Sequence, residues 1–350
     1  MKKDLKATEQ AGERKLLKLE KITHSFENGA LLSAYRRADR SIREKLESFY
    51  GRYAKDNKVS YPAAIQKLTV KERNQARVKL KEYLKTGTQI KLNPTYLKEI
   101  KSLSARREIT RLQELQADIR YQIELMTTDN INGLWKLEPE LYKEAYYTEI
   151  YDEIKVNGLT GNFAKINPDR IKLAVGYDFN GVTFSDSLWK NRDVLVRVMQ
   201  QEIPQAFILG QSVQELAKNI KAKMNTSYNS AIRLARTETN RLNNQATLDS
   251  YKETARPQEY LQILATLDDR TSEICREMDG VRIPIDEAEV GVTIPPFHPN
   301  CRSTTIRVFE GDEEEGERLA RIDGQWEKIQ DMSYSAFKDA LEKGEDVRVK

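Results

Sequence analysis

Between Leu32 and Phe49 the residues Leu32, Tyr35, Ile42, Leu46 and Phe49 recur mostly at three- and four-residue spacings, with charged side chains filling the gaps. That spacing lines up one narrow apolar stripe on an α-helix. A similar pattern predicts a long helix from about Thr95 to Met126. Between the two, Ser60 reads as the cap of a helix whose first turn tolerates Pro62. Thin stripes of this kind suit an elongated helical region rather than a sheet domain. The repeat is not a strict heptad, so a long coiled coil is not expected.

The charge of this region is lopsided. Residues 1–120 hold 29 Lys+Arg against 15 Asp+Glu, although the whole chain of 350 residues is only +4. A basic first third ahead of an acidic remainder suggests a polyanion or an acidic protein surface as partner; the alternative is a solvated helical face. Tyr35, Phe49, Tyr50, Tyr53 and Tyr61 are interleaved with the cations, but at helical spacing, which points to core rather than to base stacking. No run of 18 apolar residues occurs, so no membrane partner is expected. The N-terminus lacks the apolar stretch of a signal peptide, which implies synthesis in a cytoplasm. With two cysteines, the chain is not a disulfide scaffold.

Further along, Asn132-Gly133 predicts a turn inside another helical stretch, and residues from about 157 to 187 read as an irregular connector punctuated by Gly, Asn and Pro. Gly210 breaks the next pattern, and Ser212 with Glu215 three residues on reads as a helix start. Ile232, Ala235, Thr239, Leu242 and Ala246 follow as one buried stripe. After Pro257 the texture changes to "EYLQILATLD", "RTSEICREMDG", "VRIPI" and "STTIRVF", a strand, a short helix closed by Gly280, and two more strands. An acidic run "EGDEEEGE" and a polar helix with a Trp326–Ile329 patch complete the pattern. The fold class is therefore mainly α with a small α+β C-terminal domain and an elongated helical N-terminal region.

The chemistry-bearing residues gather in the α+β part. The chain has two histidines and two cysteines, and "PPFHPNCRSTT" holds His298 and Cys301 three positions apart. H-x-x-C lets one turn offer two ligands to an ion, Cys275 could supply a third, and Asp268 or water a fourth; imidazole and thiolate favour zinc. Other readings stay open. The cysteines could be small buried hydrophobes, or Cys301 beside His298 an activated thiolate. Asp268 or Asp269 could cap the following helix. A metal-dependent nuclease using His298 and Asp268 is the enzymatic alternative. A polar-network reading fits the residues better: Arg270 or Arg302, paired with Glu238 or Asp268, would lock the helix that carries Arg236, Thr237 and Glu238 onto the small sheet, with Thr271 beside them. On that reading "HPNCR" is a latch and there is no catalytic residue.

In their order and separations, "ARTETNRLNNQA" (235–246), "TLDDRTSEIC" (266–275), "MDG" (278–280) and "PPFHPNCRST" (295–304) resemble the phage Mu F-like minor head proteins, the head-morphogenesis or minor capsid family of tailed phages. "FILGQSVQELAKNI" (207–220) is similar to that family's Gly-x-Ser helix start. The resemblance implies a non-enzymatic virion protein of the phage head interior that acts in procapsid assembly. It implies partners in the portal protein and a scaffold or major capsid protein, with nonspecific DNA contact during packaging or ejection. It also implies that histidine or cysteine can occupy the position of Cys275, which favours a structural zinc ligand over a disulfide. Some relatives carry a toxin domain after this unit; the about 40 polar residues following "TTIRVF" are expected to be too few for one. The expected organisation is a basic helical arm (1–125), a helical and irregular connector (126–184), a Mu F-like domain (185–309) and an acidic, polar tail (310–350).

Overall fold

The computed structural model describes residues 5–157, 166–176, 183–254 and 259–310, then 317–322, 325–330, 332, 334–343, 345 and 347. Parts of the expected irregular connector and the acidic run lie outside these residues. The chain is mainly helical, with short antiparallel sheets near its C-terminal end. It forms two compact units, residues 1–26, 134–184 and 233–350 in one and residues 27–133 and 185–232 in the other. The units are thus interleaved along the sequence.

In the unit that starts at Glu27, helix α2 (Leu32–Tyr53) buries Tyr35, Ile42, Leu46 and Phe49, four of the five residues of the sequence stripe. Phe49 stacks on Phe207 of α8 (Phe184–Ile208), with ring centroids 5.4 Å apart. Ser60 caps the short α3 (Tyr61–Ala64), accepting from the Ala63 N–H as expected. Helices α4 (Val70–Gln89) and α5 (Pro94–Ala105) form a hairpin around Leu80, Tyr83, Leu92, Tyr96 and Ile100.

The long helix expected from Thr95 to Met126 is two helices, because α5 ends at Ala105 and α6 runs from Arg111 to Asn157. Between them the chain extends to place Ile109 in the core, and the Leu68 N–H donates to the Ile109 carbonyl at 2.8 Å. Thr110 and Gln113 then cap α6 reciprocally, at 3.0 and 3.1 Å. The turn expected at Asn132-Gly133 does not exist: α6 continues through it and through Pro139. Glycine costs a helix only about 1 kcal/mol, and burial of Ile131, Leu134, Leu141 and Tyr142 along the same stretch outweighs that.

In the other unit, α1 (Leu5–Phe26) lies against strands from the far end of the sequence. The three-stranded antiparallel sheet has the order β2 (Arg282–Pro284), β1 (Glu259–Leu264), β3 (Thr304–Phe309), with Leu261 opposite both Ile283 and Arg307. Helix α1 approaches this sheet so closely that a β-carbon on Gly12 would sit 2.4 Å from Ile306 Cγ2. Helix α9 (Val213–Thr254) brings its buried Ala235, Thr239, Leu242 and Ala246 to this unit. The short α10 (Glu273–Met278) follows β1, and Gly280 leaves it at φ +78°.

The tail differs from its expected form. Trp326 and Ile329 lie on a strand, since residues 317–322 (β4) and 325–330 (β5) form an antiparallel ladder. A helix, α11 (Tyr334–Lys343), comes only afterwards. Ala320 and Ile329 are buried with Leu267 and Phe337, so this segment adds to the core of its unit.

Candidate functional site

Ser272 opens α10, its hydroxyl accepting from the Cys275 N–H, and so fixes the side of the helix on which Cys275 emerges. Opposite, the 295–304 segment turns tightly: the Cys301 N–H donates to the His298 carbonyl at 3.1 Å, and Asn300 takes a positive φ of 63°. Asparagine is among the residues that tolerate that backbone region. The Asn300 N–H donates to Thr237 Oγ1 of α9, which ties the turn to the long helix.

These two elements bring Cys275, His298 and Cys301 together, with all their ligand atoms within 4.8 Å of one another. The sulfurs are 3.7 Å apart, and Cys275 Sγ is 3.2 Å from His298 Nε2. Two thiolates about 2.3 Å from a tetrahedral ion lie about 3.8 Å apart, so the sulfur spacing suits a shared ion. His298 Nδ1 donates to the Pro299 carbonyl at 2.8 Å, which leaves the Nε2 lone pair directed toward Cys275 and the Ser272 hydroxyl. A backbone carbonyl fixing the second ring nitrogen is the usual support for a ligating histidine.

The sulfur environments are unequal. Cys275 S–H donates to Cys301, and backbone N–H groups of Ser303 and Phe297 add to this, so the Cys301 thiol is held below the usual thiol range despite burial. The same shared proton, with burial, pushes Cys275 up. A cation taking the place of the shared proton would favour both sulfurs as thiolates. Both cysteines are free and buried.

Asp268, expected from the sequence as a fourth ligand, lies outside this group. Its carboxylate is 1% exposed and receives both arms of Arg302 at 2.6 Å, the Arg270 N–H at 3.0 Å and Thr271 Oγ1 at 3.0 Å. Burial alone would raise this carboxyl, but the Arg302 fork outweighs it and holds the group at about 2. This carboxylate, which the nuclease reading would use beside His298, is engaged by Arg302 on both oxygens. The cap of α10 is Ser272 rather than Asp268 or Asp269.

The sign of the Asp268 shift makes a prediction. A carboxyl lowered from 3.8 to about 2 adds stability that is full above pH 4 and disappears as pH falls toward 2. The shift corresponds to roughly 2 kcal/mol. Acid denaturation followed by circular dichroism should therefore show a steeper loss between pH 4 and 2 in the wild type than in Asp268→Asn. Equal slopes would refute the assignment.

The remaining network residues separate. Arg270 stays on the surface, its guanidinium 3.5 Å from Asp268 and 60% exposed. Arg236 is exposed on α9. Glu238 faces another way and holds Arg241, at 2.5 Å, which also donates to the Ala174 carbonyl at 2.6 Å. Beside the Thr237 contact, the latch between α9 and the sheet is made by asparagines that sequence reasoning passed over. Asn240 and Asn244 both donate to the Ser303 carbonyl, at 2.9 and 3.4 Å, and Thr304 Oγ1 donates to Asn244 at 3.3 Å. Their i, i+4 spacing beside the stripe at Ala235, Thr239, Leu242 and Ala246 was the available signal. Two further buried arginines were also missed. Arg318 forks onto Asp279 at 2.7 and 2.9 Å, and Arg307 is described below.

Residues 197–306 match the sequence model of the family described as phage Mu protein F like protein. The match includes the asparagines of α9, both cysteines, His298, Asp268 and Arg302. A minor head protein of Bacillus phage SPP1, GP7, is 26% identical over 207 residues, covering 56% of this chain and 66% of that protein. A protein of Enterococcus faecalis named NAD(+)--arginine ADP-ribosyltransferase EFV is 27% identical over 224 residues, covering 60% of this chain and 46% of the relative. The chain thus spans about half to two thirds of the length of the curated relatives it matches. No solved structure matches.

Proposed function

We propose that this Mu F-like minor head protein acts in procapsid assembly at the portal, inside the phage head, and touches the packaged DNA. What supports a structural role is that polar residues within the segment matching the family are committed to fastening. The asparagines of α9 hold the strand entry at Ser303, Asp268 is saturated by Arg302, and the turn at 298–301 is tied to Thr237. Groups arranged for turnover would instead converge on a space that a substrate can enter. The transferase activity in one relative's name is therefore not carried to this chain.

In this proposal Cys275, His298 and Cys301 hold a structural zinc ion, with water or a hydroxyl in the fourth position. The ion closes the lobe and is not a reaction centre. Portal, scaffold or major capsid protein are the partners, and synthesis is in the host cytoplasm.

The function is tested in a phage or prophage carrying this gene. Purified particles should contain the protein, and deletion of its gene should reduce the yield of DNA-filled heads at least tenfold, restored by the gene in trans. Deletion particles of normal number and DNA content would overturn the proposal.

A further inference from the structure

The positive charge of the first third of the chain is concentrated in one structural element. Residues 67–107, which hold the α4–α5 hairpin, contain 12 Lys+Arg and three Asp+Glu. Two of these three acidic groups are engaged, and Glu82 stays exposed on α4. Glu72 closes the capping box with Thr69 and accepts from the Tyr53 hydroxyl. Glu99 pairs with Arg120. Lys79 is taken by Glu114 and Asp118, and Lys67 by Glu108. That leaves Lys71, Lys81 and Lys85 on α4, and Lys98, Lys101 and Arg107 on or just after α5, all exposed and outside every ion pair among the described residues.

The hairpin is a firm carrier for these charges. Its two helices pack on Leu80, Leu92, Tyr96 and Ile100, and a β-carbon at Gly87 would sit 2.8 Å from Leu97 Cδ2, so the helices meet closely there. Lys81 and Lys85 are four apart and Lys98 and Lys101 three apart, which places each pair on one face of its helix.

The aromatic residues identify the kind of polyanion. A single-strand binder needs exposed rings on which bases stack, interleaved with its cations. The two aromatics of 67–107 are Tyr83 and Tyr96, and both are buried, with Tyr83 stacked on Tyr121 at 3.8 Å. What the hairpin presents is cations without rings. That is the equipment for neutralising backbone phosphates of a duplex without reading bases.

We infer that the α4–α5 hairpin is a sequence-independent binding site for the phosphate backbone of double-stranded DNA. This rests on the proposal above that the protein touches packaged DNA, and it adds the place, the strand state and the mode of contact.

The test uses the full chain with duplex and single-stranded DNA of equal length and scrambled sequence, titrated at several salt concentrations. The hairpin variant carries Lys81→Glu, Lys85→Glu, Lys98→Glu and Lys101→Glu. The control carries Lys136→Glu, Lys190→Glu, Lys218→Glu and Lys221→Glu, all exposed in the fold and giving the same change in net charge. The hairpin variant is expected to bind duplex at least 30-fold more weakly than the control. Its slope of log affinity against log salt should be shallower than wild type by about 3–4, near one per lost phosphate contact. A milder pair, Lys98→Gln with Lys101→Gln, should reduce the slope by about 2 and guards against misfolding of the fourfold variant.

Hairpin variants that bind as the control does would overturn the location and leave the DNA proposal standing. Wild-type protein preferring single strands would overturn the duplex assignment. Wild-type protein binding neither DNA at low salt would overturn the underlying proposal as well.

Discussion

Arg307→Met is expected to cost this protein about 3–5 kcal/mol of stability, the range for removing one partner from a buried ion pair. Arg307 is fully buried in β3 and gathers partners from three other elements. It donates to Glu153 of α6 at 3.2 Å, to the Tyr251 carbonyl at 3.0 Å and to Thr254 Oγ1 of α9 at 2.6 Å. Glu259 of β1 is 3.8 Å from its Nε, and the guanidinium lies 4.3 Å from the centre of the Tyr251 ring. The Tyr251 hydroxyl in turn donates to Glu149, whose other oxygen takes Lys15 of α1 at 2.5 Å. Burial, with the neighbouring carboxylates, pushes the Tyr251 phenol well above its ordinary value, so it remains a donor.

Methionine fills much of the same volume, which keeps the cavity contribution small. The loss then measures the carboxylates left without the arginine. Urea unfolding of Arg307→Met should show a midpoint well below wild type. Adding Glu153→Gln should cost less than the sum of the two single changes, with a coupling of about 1–3 kcal/mol. A single-variant loss under about 1 kcal/mol would sink this account of how α6, α9 and the sheet are joined. For a chain with the usual margin of about 5–15 kcal/mol, a loss of the expected size is a large fraction of the whole.

This network also marks where sequence reasoning runs out. Periodicity is local, so the stripes at Tyr35 to Phe49 and at Ala235 to Ala246 were readable, as was the start signalled by Ser212 and Glu215, whose hydroxyl and carboxylate bond reciprocally. Turn signals were readable only where no tertiary burial opposed them. Asn132-Gly133 failed because Ile131 and Leu134 on either side are buried in a continuing helix. The Cys275, His298 and Cys301 group was legible because rare residues need few assumptions about spacing. Arg307 was not, because 154 positions separate it from Glu153 and no local pattern marks a partner so distant. The same holds for the Asp268–Arg302 pair in part: the residues were nameable, but which arginine would claim which carboxylate depended on how the 295–304 turn closes.

Metal binding gives the second large effect. Protein purified without chelator is expected to carry close to one zinc per chain by elemental analysis, and Cys301→Ser none. Apparent binding energies of structural zinc sites are of the order of 10 kcal/mol, and because the ion binds only the folded lobe, that energy adds to folding. Even at 100-fold excess over its dissociation constant, a ligand adds about 2.7 kcal/mol. Chelation should therefore lower the melting temperature by several degrees, and added zinc should restore it. Acidification should release the ion with uptake of protons, since both thiolates must be reprotonated.

The competing arrangement is a plain thiol hydrogen bond, with Cys275 donating to Cys301 across the same 3.7 Å. The two differ in what Cys301→Ser does. A serine hydroxyl can still accept the Cys275 proton and the N–H groups of Ser303 and Phe297, so in the thiol-pair arrangement the variant melts near wild type and chelator changes neither protein. In the zinc arrangement wild type loses stability on chelation, down to the level of Cys301→Ser, and the variant is indifferent to chelator. Cobalt substitution separates them spectroscopically, because only ligation by thiolate produces intense sulfur-to-metal absorption near the ultraviolet, and its loss in Cys301→Ser would place that sulfur on the ion. Metal-free wild-type protein with a melting curve insensitive to chelator would end the zinc proposal while leaving the Asp268–Arg302 and Asn240–Ser303 fastenings intact.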